Sequence, residues 1–397
     1  MSTAQFSEVF EHWAAGLPAV ARAARAQNLA RFDTQGWPHR KLEDWRYTDL
    51  SALAAKSFTT PSPINAPDLS AYALEGCELH AYINGGSGAL SSFNGEGSSV
   101  VALNAAFARE GLQFHLAANQ RTAQPIHVLT VMDSAQPVMA HLRHRIHLEA
   151  NAEATVILHH SGNGAYLTTQ VTDIELGPGA KLTLYRLQNE AEGSTHLSQT
   201  DVRMARDSHL HFVNADLGAG LARQDFNVQL AEPGAEANLF GLYVPAEHAH
   251  VDTHARIEHR APHCTSRASF RGVTGGSARA VLNAKVIVHE HAIKTDSETR
   301  VANLLLSKTA EVYAKPELEI YNDDVKCAHG ATFGQLDEDA IYYLRARGLD
   351  REMARALLTQ AFVTEILDHV SLDVLRHRIS QQLLQRLPQG SALEPLA

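Results

Sequence analysis

From about residue 76 to residue 325, apolar and polar side chains alternate in short runs, the two-residue period of half-buried strands. Val171-Thr-Asp-Ile-Glu-Leu and Lys181-Leu-Thr-Leu-Tyr are typical. The turns between them repeat one device: a polar or glycine turn, a small residue, then alternation. Gly-Pro-Gly-Ala180, Arg-Asp-Ser208 and Glu-Pro-Gly-Ala235 are copies, with an earlier one at Glu153-Ala154 and a later one at His263-Cys264. The small residues fall at 154, 180, 208, 235 and 264, in steps of 26, 28, 27 and 29. Beyond 264 the period blurs, although strands are predicted at Ala280 to Val288, Val301 to Leu306 and Val312 to Tyr321. A strand–turn–strand unit of this length cannot bury its apolar face alone, so its neighbour must cover it. The pattern predicts a mainly β protein, a β-helix or related β-solenoid. A sandwich also gives many short strands, but not a near-constant step.

Both flanks read as helical. Near the N-terminus Val9, Trp13, Leu17, Val20 and Ala24 recur at three- and four-residue steps, with a break expected at Pro18. Gly36 to Thr48, dense in Trp, Tyr and charge, reads as an ordered, docked loop, and the stretch 58–67 as a linker. After the strands, Asp337 is placed to cap a helix carrying Ile341 and Leu344 and ending at Gly348. Asp350 is placed to cap a second, with Met353, Leu357, Ala361, Ile366 and Val370 on one face. A third runs from Leu372 to Leu387 and stops at Pro388. These helices suit either a cap on the solenoid or an apolar stripe for a partner's groove. The expected organisation is a helical region and linker over 1–75, a β-helix over 76–335 and a helical domain over 336–397.

Composition narrows the function classes. Across 397 residues, 45% are hydrophobic and 20% charged, ordinary for a folded protein. A net charge of −10 argues against nonspecific nucleic-acid or anionic-membrane binding. No apolar run approaches the roughly 18 residues of a membrane span, and the first residues read as neither signal nor transit peptide. Three cysteines (Cys77, Cys264 and Cys327) make no disulfide framework, so a reduced, cytoplasmic setting is expected. Histidine is abundant, with 23 copies, in pairs at 209/211, 248/250 and 289/291 and crowded at 141/144/147 and 159/160. A polar sheet face is the plain reading of these; a zinc site built on them is the sharper one.

The densest chemistry lies at Cys327 and His329. If that segment is extended, the two side chains share a face. A thiolate beside an imidazole suits zinc, copper or iron, and a thiolate also suits sulfur transfer. Two ligands do not close a metal site, so the rest must come from elsewhere in the chain or from a partner. The same pair also fits a buried Cys and a hydrogen-bonded His in a turn. An open solenoid end exposes unpaired backbone and apolar side chains, which makes a partner-completed site consistent with topology. There is no phosphate-binding Gly-x-x-x-x-Gly-Lys-Ser/Thr loop; Asn84-Gly85-Gly86-Ser87-Gly88 reads as a turn. Nor is there a Gly-x-Ser-x-Gly elbow, a Cys-x-x-Cys pair or a His-Glu-x-x-His.

Three stretches resemble a known family. Val325-Lys-Cys-Ala-His-Gly-Ala-Thr-Phe-Gly-Gln-Leu-Asp-Glu-Asp-Ala-Ile-Tyr-Tyr-Leu-Arg-Ala-Arg-Gly-Leu349 looks like the signature of the SufB/SufD family of iron–sulfur cluster assembly subunits, in its SufD form. Lys41-Leu-Glu-Asp-Trp-Arg-Tyr-Thr-Asp resembles that family's N-terminal signature, and the strands from Asn303 to Tyr321 resemble those leading to the site. The resemblance implies a right-handed parallel β-helix between N- and C-terminal helical regions. It implies a noncatalytic scaffold that pairs with a SufB-like subunit and binds a SufC-like ABC ATPase. A transient iron–sulfur cluster would assemble at the shared interface, with no tightly bound cofactor in the isolated chain, whose uncovered end then offers itself for pairing as a homodimer. Carried over by position, His329 is an iron or cluster ligand and Cys327 an auxiliary thiol. Tyr342, Tyr343, Arg345, Arg347, Leu349 and Arg355 match the ATPase-contacting region. A SufB-like scaffold is the alternative within the family, and a β-helix polysaccharide-active enzyme the alternative outside it.

Overall fold

A computed structural model describes residues 4–60, 68–84, 93 and 95–387. Most of the 58–67 stretch, the glycine-rich turn after Asn84 and Pro388 lie outside the described residues. Among the described residues, fifteen strands build one parallel, coiled sheet. After β1 (Glu78–Ile83) and β2 (Arg109–Leu116), the long strands β3 (Ile126–Leu148) and β4 (Glu153–Leu176) each bend through both walls of the solenoid. Beyond them each coil contributes two strands, one per wall. β5 (Lys181–Glu190), β7 (His209–Asp216), β9 (Glu236–Tyr243), β11 (Thr265–Thr274), β13 (Thr295–Leu305) and β15 (Val325–Gly334) stack in one wall. β6 (Thr195–Met204), β8 (Leu221–Leu230), β10 (His250–His259), β12 (Arg279–Val288) and β14 (Glu311–Ile320) stack in the other. The parallel solenoid expected from the period is therefore present.

The small residues of the repeat form a ladder. The carbonyls of Ala152, Ala180, Ser208, Ala235 and Cys264 each accept a bond from the next coil, from Lys181, His209, Glu236, Thr265 and Asp296. All five are fully buried. The first copy is Ala152 and not Ala154, whose side chain points into the core two residues on. Each ladder residue follows one in the left-handed region: Asn151, Gly179, Asp207, Gly234 and His263. The corner demands a positive φ, which Gly, Asn and Asp tolerate best, and then a side chain small enough for the inside of the bend. The period does not end at 264. Lys294 (φ 59°) and buried Thr295 continue it. Thr265 lies over Asp296 and Asp296 over Lys326, steps of 31 and 30. Lys and Thr at that corner hide the signal that Gly-Ala displays elsewhere.

The flanking helices lie along the walls. α1 (Ala4–Trp13) and α2 (Ala19–Gln35) are broken at Pro18 as expected. They pack Phe6, Phe10, Leu29 and Phe32 against a helix the strand pattern conceals, α4 (Ser99–Phe107), which is buried throughout. Buried Arg25 ties them together through the carbonyls of Ala106 and Ala108. Val20, expected on the apolar face, is 83% exposed. Trp37, Trp45 and Thr48 are buried, so the aromatic loop is docked, and α3 (Ser51–Ala54) follows it.

At the other end, Asp337 and Asp350 cap α5 (Glu338–Ala346) and α6 (Arg351–Leu367) as expected, and α7 (Asp373–Arg386) follows. α6 and α7 lay Val363, Ile366, Leu367, Leu375, Ile379 and Leu383 on the outside of the β5–β13 wall. Their stripe is spent within the chain, along a flank and not over the tip. Ala361 faces solvent; the buried face runs through Ala356, Thr359 and Val363 instead.

Candidate functional site at the solenoid tip

β14 and β15 terminate the strand order, so each has one sheet neighbour among the described strands and one free edge. The Cys327/His329 segment is itself the last strand and does not follow the last strands as a turn. Being extended, it puts both residues on the inward face, as the spacing predicts.

Register traces two interior ladders to this point. One runs Ala154, Leu182, Leu210, Ala237, Ser266, Ser297, Cys327. The other runs Val156, Leu184, Phe212, Leu239, Ala268, Thr299, His329. Both are apolar in the body of the rod and polar in the coils nearest the tip. Cys327 is half-buried and packs against the interior core, whereas His329 is exposed. Burial pushes the Cys327 thiol above its ordinary range, and the carboxylate of Asp296 adds to this, against a main-chain hydrogen bond at Ser297. The thiol is therefore protonated at neutral pH in the chain alone.

Among the described residues no group of three or more His, Cys, Asp or Glu is arranged to hold a metal ion. Of the crowded histidines, His141, His144, His159 and His160 are buried, as are His127, His196 and His259 elsewhere, whereas His147 and the pairs 209/211, 248/250 and 289/291 are exposed or half-buried on the outer faces. Cys264 belongs to the corner ladder, and Cys77 is half-buried.

Large apolar side chains stand exposed around the tip. Tyr321 is 60% exposed and Phe333 53%, with Ile320 and Ile293 nearby in the chain's last coils. α5 leaves the tip directly. On it Tyr342 and Tyr343 are exposed at 73% and 57%. Arg347 stacks over the Tyr343 ring at 4.4 Å and donates to its hydroxyl. Arg345 is exposed, while Leu349 and Arg355 are half-buried. Arg351 pairs with Glu338 at 2.7 Å, fastening the start of α6 to α5. The aromatic loop reaches the same region from behind: Tyr47 stacks on Tyr313 of β14 at 4.4 Å, and Glu43 pairs with Lys315 at 3.0 Å. The sequence nominates Cys327, His329 and the α5 tyrosines as candidates; the hydroxyl rungs beneath the pair and Phe333 carry no local pattern that would nominate them.

The SufBD core domain of the SUF iron–sulfur assembly system matches residues 130–362, and the SufBD N-terminal region matches residues 3–82. The iron-sulfur cluster assembly protein SufD of Escherichia coli is 31% identical over 393 residues, covering 92% of this chain and 93% of that protein. A SufBD family protein of Synechocystis is 30% identical over 391 residues, covering 87% and 86%. The chloroplastic protein ABCI7 of Arabidopsis thaliana is 33% identical over 206 residues, covering 52% and 43%. With its core and N-terminal region both matched, and its similarity to SufD running nearly end to end, the chain belongs to the SufBD family of the SUF iron–sulfur cluster assembly system and is SufD-like.

Proposed function

We propose that this chain is a noncatalytic scaffold subunit whose tip supplies half of an iron–sulfur cluster assembly site. A SufB-like subunit supplies the other half, and a SufC-like ABC ATPase binds through α5 and the start of α6. The single observation that carries the reading is the position of Cys327 and His329 on the last inward rung of a solenoid with free edges. The free backbone of β14 and β15, with Tyr321 and Phe333 beside it, suits a sheet-to-sheet partner of the same architecture. In this reading His329 is an iron or cluster ligand, and Cys327 is an auxiliary thiol whose proton leaves when metal or sulfide arrives. The cluster is cargo and does not stay with the chain. Tyr342, Tyr343, Arg345 and Arg347 present a mixed aromatic and cationic surface of the kind enriched in protein interfaces, with Leu349 and Arg355 at its margin. The cytoplasm is the compartment such a reduced-thiol scaffold fits.

The test is a His329→Ala chain expressed with its partner subunits. The complex is expected to form in the same subunit ratio, with iron and acid-labile sulfide greatly reduced after reconstitution. A full cluster load on the variant complex would overturn the assignment of His329.

A further inference from the structure

The two strands that end the solenoid at the tip have unlike edges. β15 contains no proline, whereas β14 carries Pro316 near its middle. Main-chain bonds fix which way that residue turns. The Glu311 N–H donates to the Ala278 carbonyl and the Tyr321 N–H to the Val288 carbonyl, at the two ends of an unbroken register with β12. In a parallel pair, alternate residues of a strand bond the same neighbour. The odd-numbered residues of β14 therefore bond β12. The even-numbered ones, Val312, Ala314, Pro316, Leu318 and Ile320, turn their main chain to the open edge.

Pro316 thus costs β14 no bond in its own sheet, because the N–H it lacks would point away from β12. Its effect falls on the edge alone. A strand added there would meet donors at Val312 and Ala314, a ring without an N–H at 316, then donors at Leu318 and Ile320. Continuous pairing stops at that ring. The first half of β14 is also occupied on its outer face, where Tyr47 of the aromatic loop stacks on Tyr313 and Glu43 pairs with Lys315. The second half leads into Ile320 and Tyr321, 42% and 60% exposed. Free main-chain donors and bare apolar side chains therefore coincide beyond Pro316.

We propose that Pro316 is a register stop. It confines backbone pairing on the β14 side of the tip to residues 317–321 and leaves the β15 edge open along its length. The occupant is an edge strand of the SufB-like subunit. The edge offers main-chain donors and acceptors at strand spacing, and Ile320 and Tyr321 join Phe333 among the exposed apolar side chains of the tip. The proposal rests on the scaffold reading and adds where on β14 the partner strand lies. A strand slipped toward Glu311 would set an acceptor against the proline ring, so the stop also fixes alignment.

The test is hydrogen exchange read by peptide mass spectrometry, on the chain alone and in its complex with the SufB-like subunit. Complex formation is expected to slow exchange roughly tenfold or more over residues 317–321, and by less than roughly twofold over 311–315. Equal slowing of both halves, or none over 317–321, overturns the proposal and leaves the His329 assembly test standing. Failure of any complex to form would instead defeat the scaffold reading, and the chain alone then decides the role of Pro316. Pro316→Val keeps a side chain of similar size and restores the edge N–H. The variant is expected to self-associate roughly 2- to 10-fold more tightly than the parent in sedimentation equilibrium, the scale of one added main-chain hydrogen bond. Unchanged self-association overturns the proposal. Should Pro316→Val lower the melting temperature, Pro316→Ala, with the same N–H and a smaller side chain, decides by the same criterion.

Discussion

Tyr243 on β9 lays its ring across Gly272 on β11 and donates its hydroxyl to Asn303 on β13, two coils away. A Cβ on Gly272 would lie 1.9 Å from Tyr243 Cε2, so the ring fills the space a side chain would need. Phe270 leans over Gly241 in the opposite direction, 2.3 Å from that glycine's would-be Cβ. Neither glycine has a positive φ, so their value is space and not backbone freedom. Gly272→Ala is expected to destabilise by about 1–3 kcal/mol through overpacking, measured by urea denaturation. Combined with Tyr243→Ala, the loss is expected to be well short of the sum of the two. An additive result would show that the ring does not need the gap.

Arg223 joins the aromatic loop to the β8–β14 wall. It lies 3.9 Å over the Trp45 ring and bonds the Asp44 carbonyl at 2.6 Å, Asp252 at 2.6 Å and Asp225 at 2.8 Å. Burial would raise the Asp252 carboxyl, but Arg223, His254 and Thr48 override it and hold it well below the usual range. Arg223→Met strands a buried carboxylate and is expected to cost about 3–5 kcal/mol. Adding Asp252→Leu is expected to recover much of that, as thermal unfolding of both variants will show.

The buried imidazoles set an acid limit. Burial lowers His127, His144 and His259 to about 4, and His141 and His159 to about 3, from an ordinary 6.5. Above pH 6.5 both folded and unfolded forms are neutral, and stability is full. As pH falls from 6.5 toward 4, the unfolded chain binds protons that the folded chain refuses. Each such His then removes up to about 1.4 kcal/mol per pH unit. Urea midpoints are expected to fall steeply between pH 6.5 and pH 4.5; a flat profile over that range contradicts burial of neutral rings.

Phe333 and Tyr321 bear on pairing and not on folding, in the scaffold reading. Phe333→Asp or Tyr321→Asp is expected to leave the unfolding free energy within about 0.5 kcal/mol of the parent, as surface changes do. Co-purification with a SufB-like subunit, and any self-association of the isolated chain, is expected to fall at least tenfold. Unaltered association, measured by light scattering and pull-down, would move the interface elsewhere.

What could be read without coordinates follows from local rules. Alternation reports strands wherever one face is buried, and the Gly-Ala, Asp-Ser and Gly-Ala corners report the coil length because a left-handed residue and a small neighbour must recur there. His263, Lys294 and Thr295 break the visible pattern while obeying the same geometry, so the last coils were harder to see. Asp337 and Asp350 announced their helices for the same local reason. Ser99–Phe107 did not, because a helix buried on all sides carries no amphipathic period.

The sequence by itself determined the repeat, the helix caps and the pairing of Cys327 with His329 on one face of a strand, all properties of neighbours in the chain. Only the tertiary structure decided which residues lie under that pair. Ser266, Ser297 and Thr299 come to the tip from coils about 30 residues apart, through registers set by inter-strand hydrogen bonds and not by proximity in the chain. It also decided that α6 and α7 cover a flank and leave the tip open, since the same apolar stripe would fit either surface until packing selected one.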